Sequence, residues 1–348
     1  MNGRDWPIVI GHRGAAGYRP ENTLESYELA ARLGADFIEP DLVSTADGVL
    51  VCRHEPEIGA TTDVVAHPEF APRRKTRAVD GVPVTGWFTE DFTLAELRTL
   101  RAKERLPLLR PQNTRWDGQL MVPTFQEVLD LRAWLCQELG REVGVYPEVK
   151  RPTDSRELGL PLERSLYDLL RRNGLDRADA PVYVQCFEPS SLRELRDLGL
   201  TAPAIQLVSA TGAPYATVIA GKGPTFAELV TPSGLGVVAG YAQGVGMDKL
   251  LIIPREPGGG LGTPTSMVAH VRAAGLVLHA YTFRAENAFL PADYQSGSPA
   301  LPHEFGQGAE EQVAYLEAGV DGLFTDQADL GVLARERYLT LRGLARRS

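Results

Sequence analysis

Cysteine is scarce in this 348-residue chain. The three present, Cys52, Cys136 and Cys186, are odd in number and form no CxxC pair, which argues against a disulfide framework or a structural zinc site and leaves buried free thiols as the expectation. Long hydrophobic runs are also missing. No stretch approaches the roughly 18–20 consecutive apolar residues that span a bilayer, and the first six residues carry no apolar leader segment. The chain as it stands reads as cytoplasmic, with a secreted or periplasmic protein expected if a leader has been trimmed. Positive charge is in deficit, 36 Lys+Arg against 45 Asp+Glu, for a net charge of −9. Such a chain is a poor partner for nucleic acid, and a small anionic substrate would need local positive charge. Only five of the basic residues are lysines, a bias to which no function attaches.

What is present is a regular alternation. Short apolar or β-branched runs at 8–11, 37–41, 143–149, 182–186, 204–208, 244–247, 276–281 and 322–325 are separated by stretches of helical period. Eight such units predict a TIM-type (β/α)8 barrel, with a doubly wound open sheet as the competing arrangement. The first helix has Asn22 as its predicted cap, Glu25 at the capping-box position and Gly34 as its stop. A ninth run, 49–53, follows 37–41 too closely for a helical crossover and must return as a hairpin. A two-residue turn at Asp47-Gly48 would set Asp41 opposite His54. From 57 to 122 the rhythm lapses, which predicts a barrel of 1–56 and 123–348 with a small inserted cap of 57–122. The segment 211–235, rich in Gly and Pro, reads as a second long loop.

Candidate chemistry gathers at predicted strand ends. Gly11-His12-Arg13-Gly14 closes the first strand, where barrel active sites lie, though a strand-end histidine and a surface arginine also have structural uses. Glu39 and Asp41, spaced i, i+2, project from one face and suit a hard-cation site, an acid–base pair or a solvated loop mouth. Glu148 and Lys150 repeat that spacing. Three carboxylates supply up to about six oxygens, the donors that Ca²⁺ or Mg²⁺ prefers over the thiolate and imidazole sets of zinc. A carboxylate neighbour would favour the imidazolium of His54. His67, His270, His279 and His303 are assigned no role.

In the combination His12-Arg13-Gly14, Pro20-Glu21-Asn22-Thr23, Glu39-x-Asp41, Val51-x-x-His54 and Glu148-x-Lys150, the chain resembles the glycerophosphodiester phosphodiesterase family. The likeness continues through Gln185-x-Phe187, Tyr281-Thr282-Phe283 and the run from Gly319 to Asp326, and so covers nearly the whole chain. With its inserted segment and Tyr146-Pro147-Glu148, the chain is similar to the long periplasmic-type bacterial members. The resemblance implies a TIM barrel that hydrolyses glycerophosphodiesters to sn-glycerol 3-phosphate and an alcohol, with Ca²⁺, Mg²⁺ or another divalent cation. It implies Glu39, Asp41 and Glu148 as metal ligands, His12 and His54 as the acid–base pair, and Arg13 and Lys150 on the phosphate, with Gln185, Tyr281 and Phe283 lining the headgroup pocket. A lipid phosphodiesterase on the same barrel is the near alternative, and an inactive binding or adhesion protein the distant one. The basic stretch from Arg335 to Arg347 reads as the last barrel helix with a solvated face.

Overall fold

The computed structural model describes residues 6–344. Its strands, in chain order, are β1 (Ile8–His12), β2 (Phe37–Glu39), β3 (Asp41–Ser44), β4 (Leu50–Cys52), β5 (Lys75–Val79), β6 (Val82–Gly86), β7 (Gly144–Val145), β8 (Glu148–Val149), β9 (Val184–Cys186), β10 (Ala204–Val208), β11 (Gly244–Asp248), β12 (Val277–Phe283) and β13 (Gly322–Thr325). β3 continues β2 beyond Pro40, and β8 continues β7 beyond Tyr146-Pro147. Parallel pairing then runs from β1 to β2, β2 to β7, β3 to β8, and on through β9, β10, β11, β12 and β13. β13 pairs with β1, so the ring of eight strand positions closes. This is the predicted TIM barrel, and its edges are abolished by closure.

Two predicted strands are each split by a proline. The ladder passes from Ile38 O to Tyr146 N (2.9 Å) and from Pro40 O to Glu148 N (2.9 Å). The return bond into the Tyr146 carbonyl falls to residue 40, whose nitrogen carries no hydrogen. Inside the barrel, Ile8, Ile10, Phe37, Tyr146, Ile205 and Phe324 fill the space between strands. His279 belongs to this core, its Nδ1 lying 2.8 Å from the Tyr146 hydroxyl, and burial pushes its pKa down to about 3. Outside the ring, helices lay apolar stripes on the sheet. Tyr27, Ala30 and Ala31 of the helix Leu24–Arg32 share one cluster with Val128 and Leu129 of Phe125–Glu138.

Local details depart from expectation. The cap of the first helix is Thr23, whose hydroxyl accepts from Ser26 N (3.3 Å), so Glu25 falls outside the capping box. Asn22 sits before it at a positive φ of 55°, its side chain directed to Asp41. The hairpin register pairs Leu42 with Cys52 and Val43 with Val51, which sets Asp41 against Arg53 instead of His54. The loop holds three residues, closed by Thr45 N to Val49 O (3.0 Å), with Gly48 in the left-handed region at φ +77°. The segment 211–235 is not one loop: it contains Tyr215–Ala220, Phe226–Leu229 and the start of Pro232–Val238, the last two capped by Thr225 and Thr231. Cys136 is half-buried, whereas Cys52 and Cys186 are buried. The last helix, Ala328–Leu341, is where the basic stretch begins, but Arg335 is buried against Asp36 (2.5 Å), and Arg346 and Arg347 lie outside the described residues. No helix among the described residues is long and apolar enough to cross a membrane.

Residues 57–122 hold the antiparallel pair β5–β6, the short helix Leu94–Leu97 and several 3₁₀ turns. Ile58, Val64, Phe70, Trp87, Phe92, Leu97, Leu100 and Val122 form a second apolar cluster, shared with Val43 and Val51 of the β3–β4 hairpin. The segment is thereby rooted on the hairpin that carries Asp41.

Candidate active site

Register alone assembles the acidic group. His12 is the partner of Glu39 across β1–β2, Asp41 of Glu148 across β3–β8, and Glu148 of Gln185 across β8–β9. Glu39, Asp41 and Glu148 each present an oxygen within 4.8 Å of the others, and all three are buried. Their neighbours are cationic or amide groups. Arg13 donates its backbone N–H to Glu39 (2.8 Å), and its Nε lies 3.2 Å from Asp41 Oδ2. Lys150 Nζ lies 2.7 Å from Glu148 Oε1 and 3.6 Å from Asp41 Oδ1. Gln185 Nε2 donates to Glu39 Oε1 (2.9 Å), and Asn22 Nδ2 to Asp41 Oδ2 (2.9 Å).

The electrostatics are those of a crowded anionic cluster. Burial, then repulsion from Asp41 and Glu148, drives the Glu39 carboxyl well above its usual range. Burial likewise raises Glu148 to about 7 despite Lys150. Burial alone would raise Asp41 too, but Lys150, His54 and Arg13 hold it below its usual value. Asp41 Oδ1 is buried without a hydrogen-bond partner among the described residues. Three inward carboxylates with an unfilled oxygen lone pair fit a hard divalent cation by donor type.

The two histidines reach this cluster from different elements. His12 ends β1, and its Nδ1 lies 2.6 Å from Asp326 Oδ1, just beyond β13. His54 follows β4, and its Nδ1 bonds Glu55 Oε1. Each ring therefore has Nδ1 committed to a carboxylate. Burial and then Arg13 lower the pKa of His12; burial, Arg13 and Lys150 take His54 down to about 4. Asp41 favours the imidazolium of His54 as expected, and so does Glu55, but desolvation and two cations outweigh both carboxylates.

A cavity of about 120 Å³ opens between them, lined by His12, Arg13, Glu39, His54, Glu148, Lys150 and Gln185 on its polar side. Phe187, Leu207, Tyr281 and Phe324 form the apolar wall. Phe283 does not line it. The β12–β13 register shifts between Ala280 and Phe283, which turns Phe283 outward to pack on Tyr315 (ring centres 4.9 Å apart). Sequence reading passed over the groups that hold the histidines. Asp326 also accepts from Arg110 Nη2 (2.6 Å) and Arg284 Nε (2.9 Å), and Glu55 from Arg105 Nη2 (2.6 Å). The signal available was the pair of arginines in Arg105-Leu-Pro-Leu-Leu-Arg110, inside a segment otherwise read as a cap.

Fold and site together define a (β/α)8-barrel enzyme. A family model described as "Glycerophosphoryl diester phosphodiesterase family" matches residues 12–330. A glycerophosphodiester phosphodiesterase of Arabidopsis thaliana is 33 % identical over 332 residues, covering 92 % of this chain and 83 % of the relative. One from Haemophilus influenzae is 28 % identical over 346 residues, covering 93 % and 88 %. Among solved structures, an Oleispira antarctica phosphodiesterase in complex with the product sn-glycerol-3-phosphate superposes with a TM-score of 0.62 at 19 % identity, over 95 % of this chain and 97 % of that one. The chain belongs to the glycerophosphoryl diester phosphodiesterase family and is a phosphodiester-cleaving enzyme.

Proposed function

We propose that the enzyme hydrolyses small glycerophosphodiesters such as glycerophosphocholine and glycerophosphoethanolamine to sn-glycerol 3-phosphate and an alcohol, with His12 and His54 as its acid–base pair. The observation that carries this reading is the pair of histidines, His12 buried and His54 half-buried, each tied through Nδ1 to a carboxylate and each lining a cavity that also holds Arg13 and Lys150. With Nδ1 engaged, each ring offers Nε2 to the cavity. Burial and nearby cations lower the pKa of both rings, which favours the neutral form that can accept a proton from the nucleophile. A phosphodiester anion entering between them offsets Arg13 and Lys150, which favours the imidazolium that protonates the leaving alkoxide. Arg13 and Lys150 grip the phosphate, Gln185 and Tyr281 border it, and residues 57–122 act as a cap on the barrel. The Oleispira antarctica relative, with sn-glycerol-3-phosphate bound, supports the product assignment.

Glu39, Asp41 and Glu148 would hold a divalent cation, Ca²⁺ or Mg²⁺. When bound, it supplies positive charge to the non-bridging phosphoryl oxygens. Exhaustive chelation should abolish glycerol 3-phosphate release from glycerophosphocholine, and added Ca²⁺ or Mg²⁺ should restore it; undiminished activity after chelation would refute the metal role. His12→Ala and His54→Ala should each lower kcat about 10²–10⁴-fold with far smaller effects on KM. Lysophosphatidylcholine as a second substrate separates the lipid-directed reading, since turnover of it above that of glycerophosphocholine would favour a lipid phosphodiesterase.

A further inference from the structure

We propose that Arg105 and Arg110, five residues apart on one loop of the 57–122 segment, are positioning residues for the reaction, each aiming one of the two histidines through the carboxylate behind it. The proposal rests on the acid–base reading of His12 and His54.

The geometry is the same on both sides of the cavity. Asp326 gives Oδ1 to His12 and Oδ2 to Arg110 (2.6 Å); Glu55 gives Oε1 to His54 and Oε2 to Arg105 (2.6 Å). A carboxylate held through both oxygens cannot rotate about its terminal torsion. The imidazole bonded to it is therefore fixed in plane and in tautomer. Arg284 also reaches Asp326 Oδ2 (2.9 Å), so that carboxylate keeps one cation when Arg110 is lost.

The arginines are themselves immobilised. Arg110 is buried and also donates to Glu286 Oε1 (2.5 Å) and Ala16 O (2.9 Å). Arg105 makes a fork on Glu21, with Nε to Oε2 (2.7 Å) and Nη2 to Oε1 (2.5 Å). Glu21 Oε2 in turn accepts from Arg13 Nη1 (2.8 Å). The loop between the arginines is a compact turn, with Arg110 N bonded to Leu106 O (2.8 Å), so the two anchors are held at a set separation. Ties that served only to fasten the segment could have ended on any exposed carboxylate of the barrel. Besides its bond to Glu286 or Glu21, each arginine has one that ends on a carboxylate holding a histidine.

The test is a pair of double-mutant cycles read as kcat and KM on glycerophosphocholine. Arg110→Gln should lower kcat about tenfold with KM changed less than about twofold. In Asp326→Asn it should add less than about twofold, whereas in Glu55→Gln it should keep its full effect. Arg105→Gln should show the converse kcat pattern, silent in Glu55→Gln and full in Asp326→Asn. It should also raise KM in every background, through Glu21 and Arg13. Equal penalties in both backgrounds, or an unchanged kcat, would overturn the proposal and leave the arginines as structural ties. Thermal melting of each variant identifies any that fails to fold. Should Arg110→Gln unfold, Arg110→Lys, which keeps the charge but not the planar fork, is read in the same two backgrounds by the same criterion. His12→Ala and His54→Ala run alongside: near-normal kcat there refutes the acid–base reading itself, an outcome distinct from additivity in the cycles.

Discussion

Phe187 stands between the ammonium of Lys150, 5.9 Å from its ring centre, and the rings of Tyr281 and Phe226, 6.1 and 5.9 Å away. It braces one of the cations that line the cavity and forms part of the apolar wall. A cation–π contact contributes about 0.5–2 kcal/mol. Phe187→Ala should therefore raise KM for glycerophosphocholine about 3- to 10-fold while kcat stays within about threefold, as steady-state kinetics would show. At this scale the charged groups were legible because i, i+2 spacing on a strand needs no tertiary knowledge to place two side chains on one face. Phe283, set in the pocket by the resemblance, is turned away from it because an irregularity between Ala280 and Phe283 breaks the strand alternation. Asn22 was misread as a helix cap because Thr23, one residue on, competes for the same task and wins it.

The β3–β4 hairpin shows what an element can and cannot reveal in advance. Its existence follows from the short spacing between 37–41 and 49–53, but its register turns on whether the loop holds two residues or three. Thr45 decides for three: its hydroxyl accepts from Val49 N (2.9 Å) and bonds Asp47 Oδ1 (2.6 Å), which fastens the loop one residue wider. That slip exchanges Arg53 for His54 opposite Asp41. Arg53, buried, donates to the carbonyls of Glu21 and Asn22 and so ties the hairpin to the loop after β1. At the tip, a Cβ on Gly48 would meet nothing within 4 Å, so a substitution there costs backbone strain alone. Gly48→Ala should lower stability by about 1 kcal/mol in chemical denaturation with kcat unchanged. A loss beyond about 3 kcal/mol would show that the loop bears on the hairpin's pairing.

For the molecule as a whole, the alternation of eight runs with helical stretches made the closed barrel legible, because right-handed crossovers leave few other ways to bury so many parallel strands. The networks behind the histidines were not. Arg110 and Asp326 lie 216 residues apart, and only the closed ring brings them together. Closure also buries His279 so completely that its pKa falls to about 3, whereas an unfolded chain leaves it near 6.5. Below about pH 6.5 the unfolded chain therefore binds a proton that the folded one refuses. Stability falls as pH drops toward 3, at up to about 1.4 kcal/mol per pH unit from this group. His279→Gln keeps a hydrogen-bonding group beside Tyr146 without the titration. Its stability deficit relative to the parent should shrink as pH falls from 6.5 to 4, measured by denaturant melts; parallel curves would show that His279 does not govern the acid limb.

The hydrogen that Pro40 lacks has a consequence two strands away. The Tyr146 carbonyl, deprived of its ladder donor, lies 3.4 Å from Gln185 Nε2, which also donates to Glu39. Both acceptors call for the nitrogen end of that amide, so the side chain is polarised one way round and its oxygen is left buried without a donor. An imino acid in the backbone thus acts as an orientation key for a neutral side chain in the wall of the cavity.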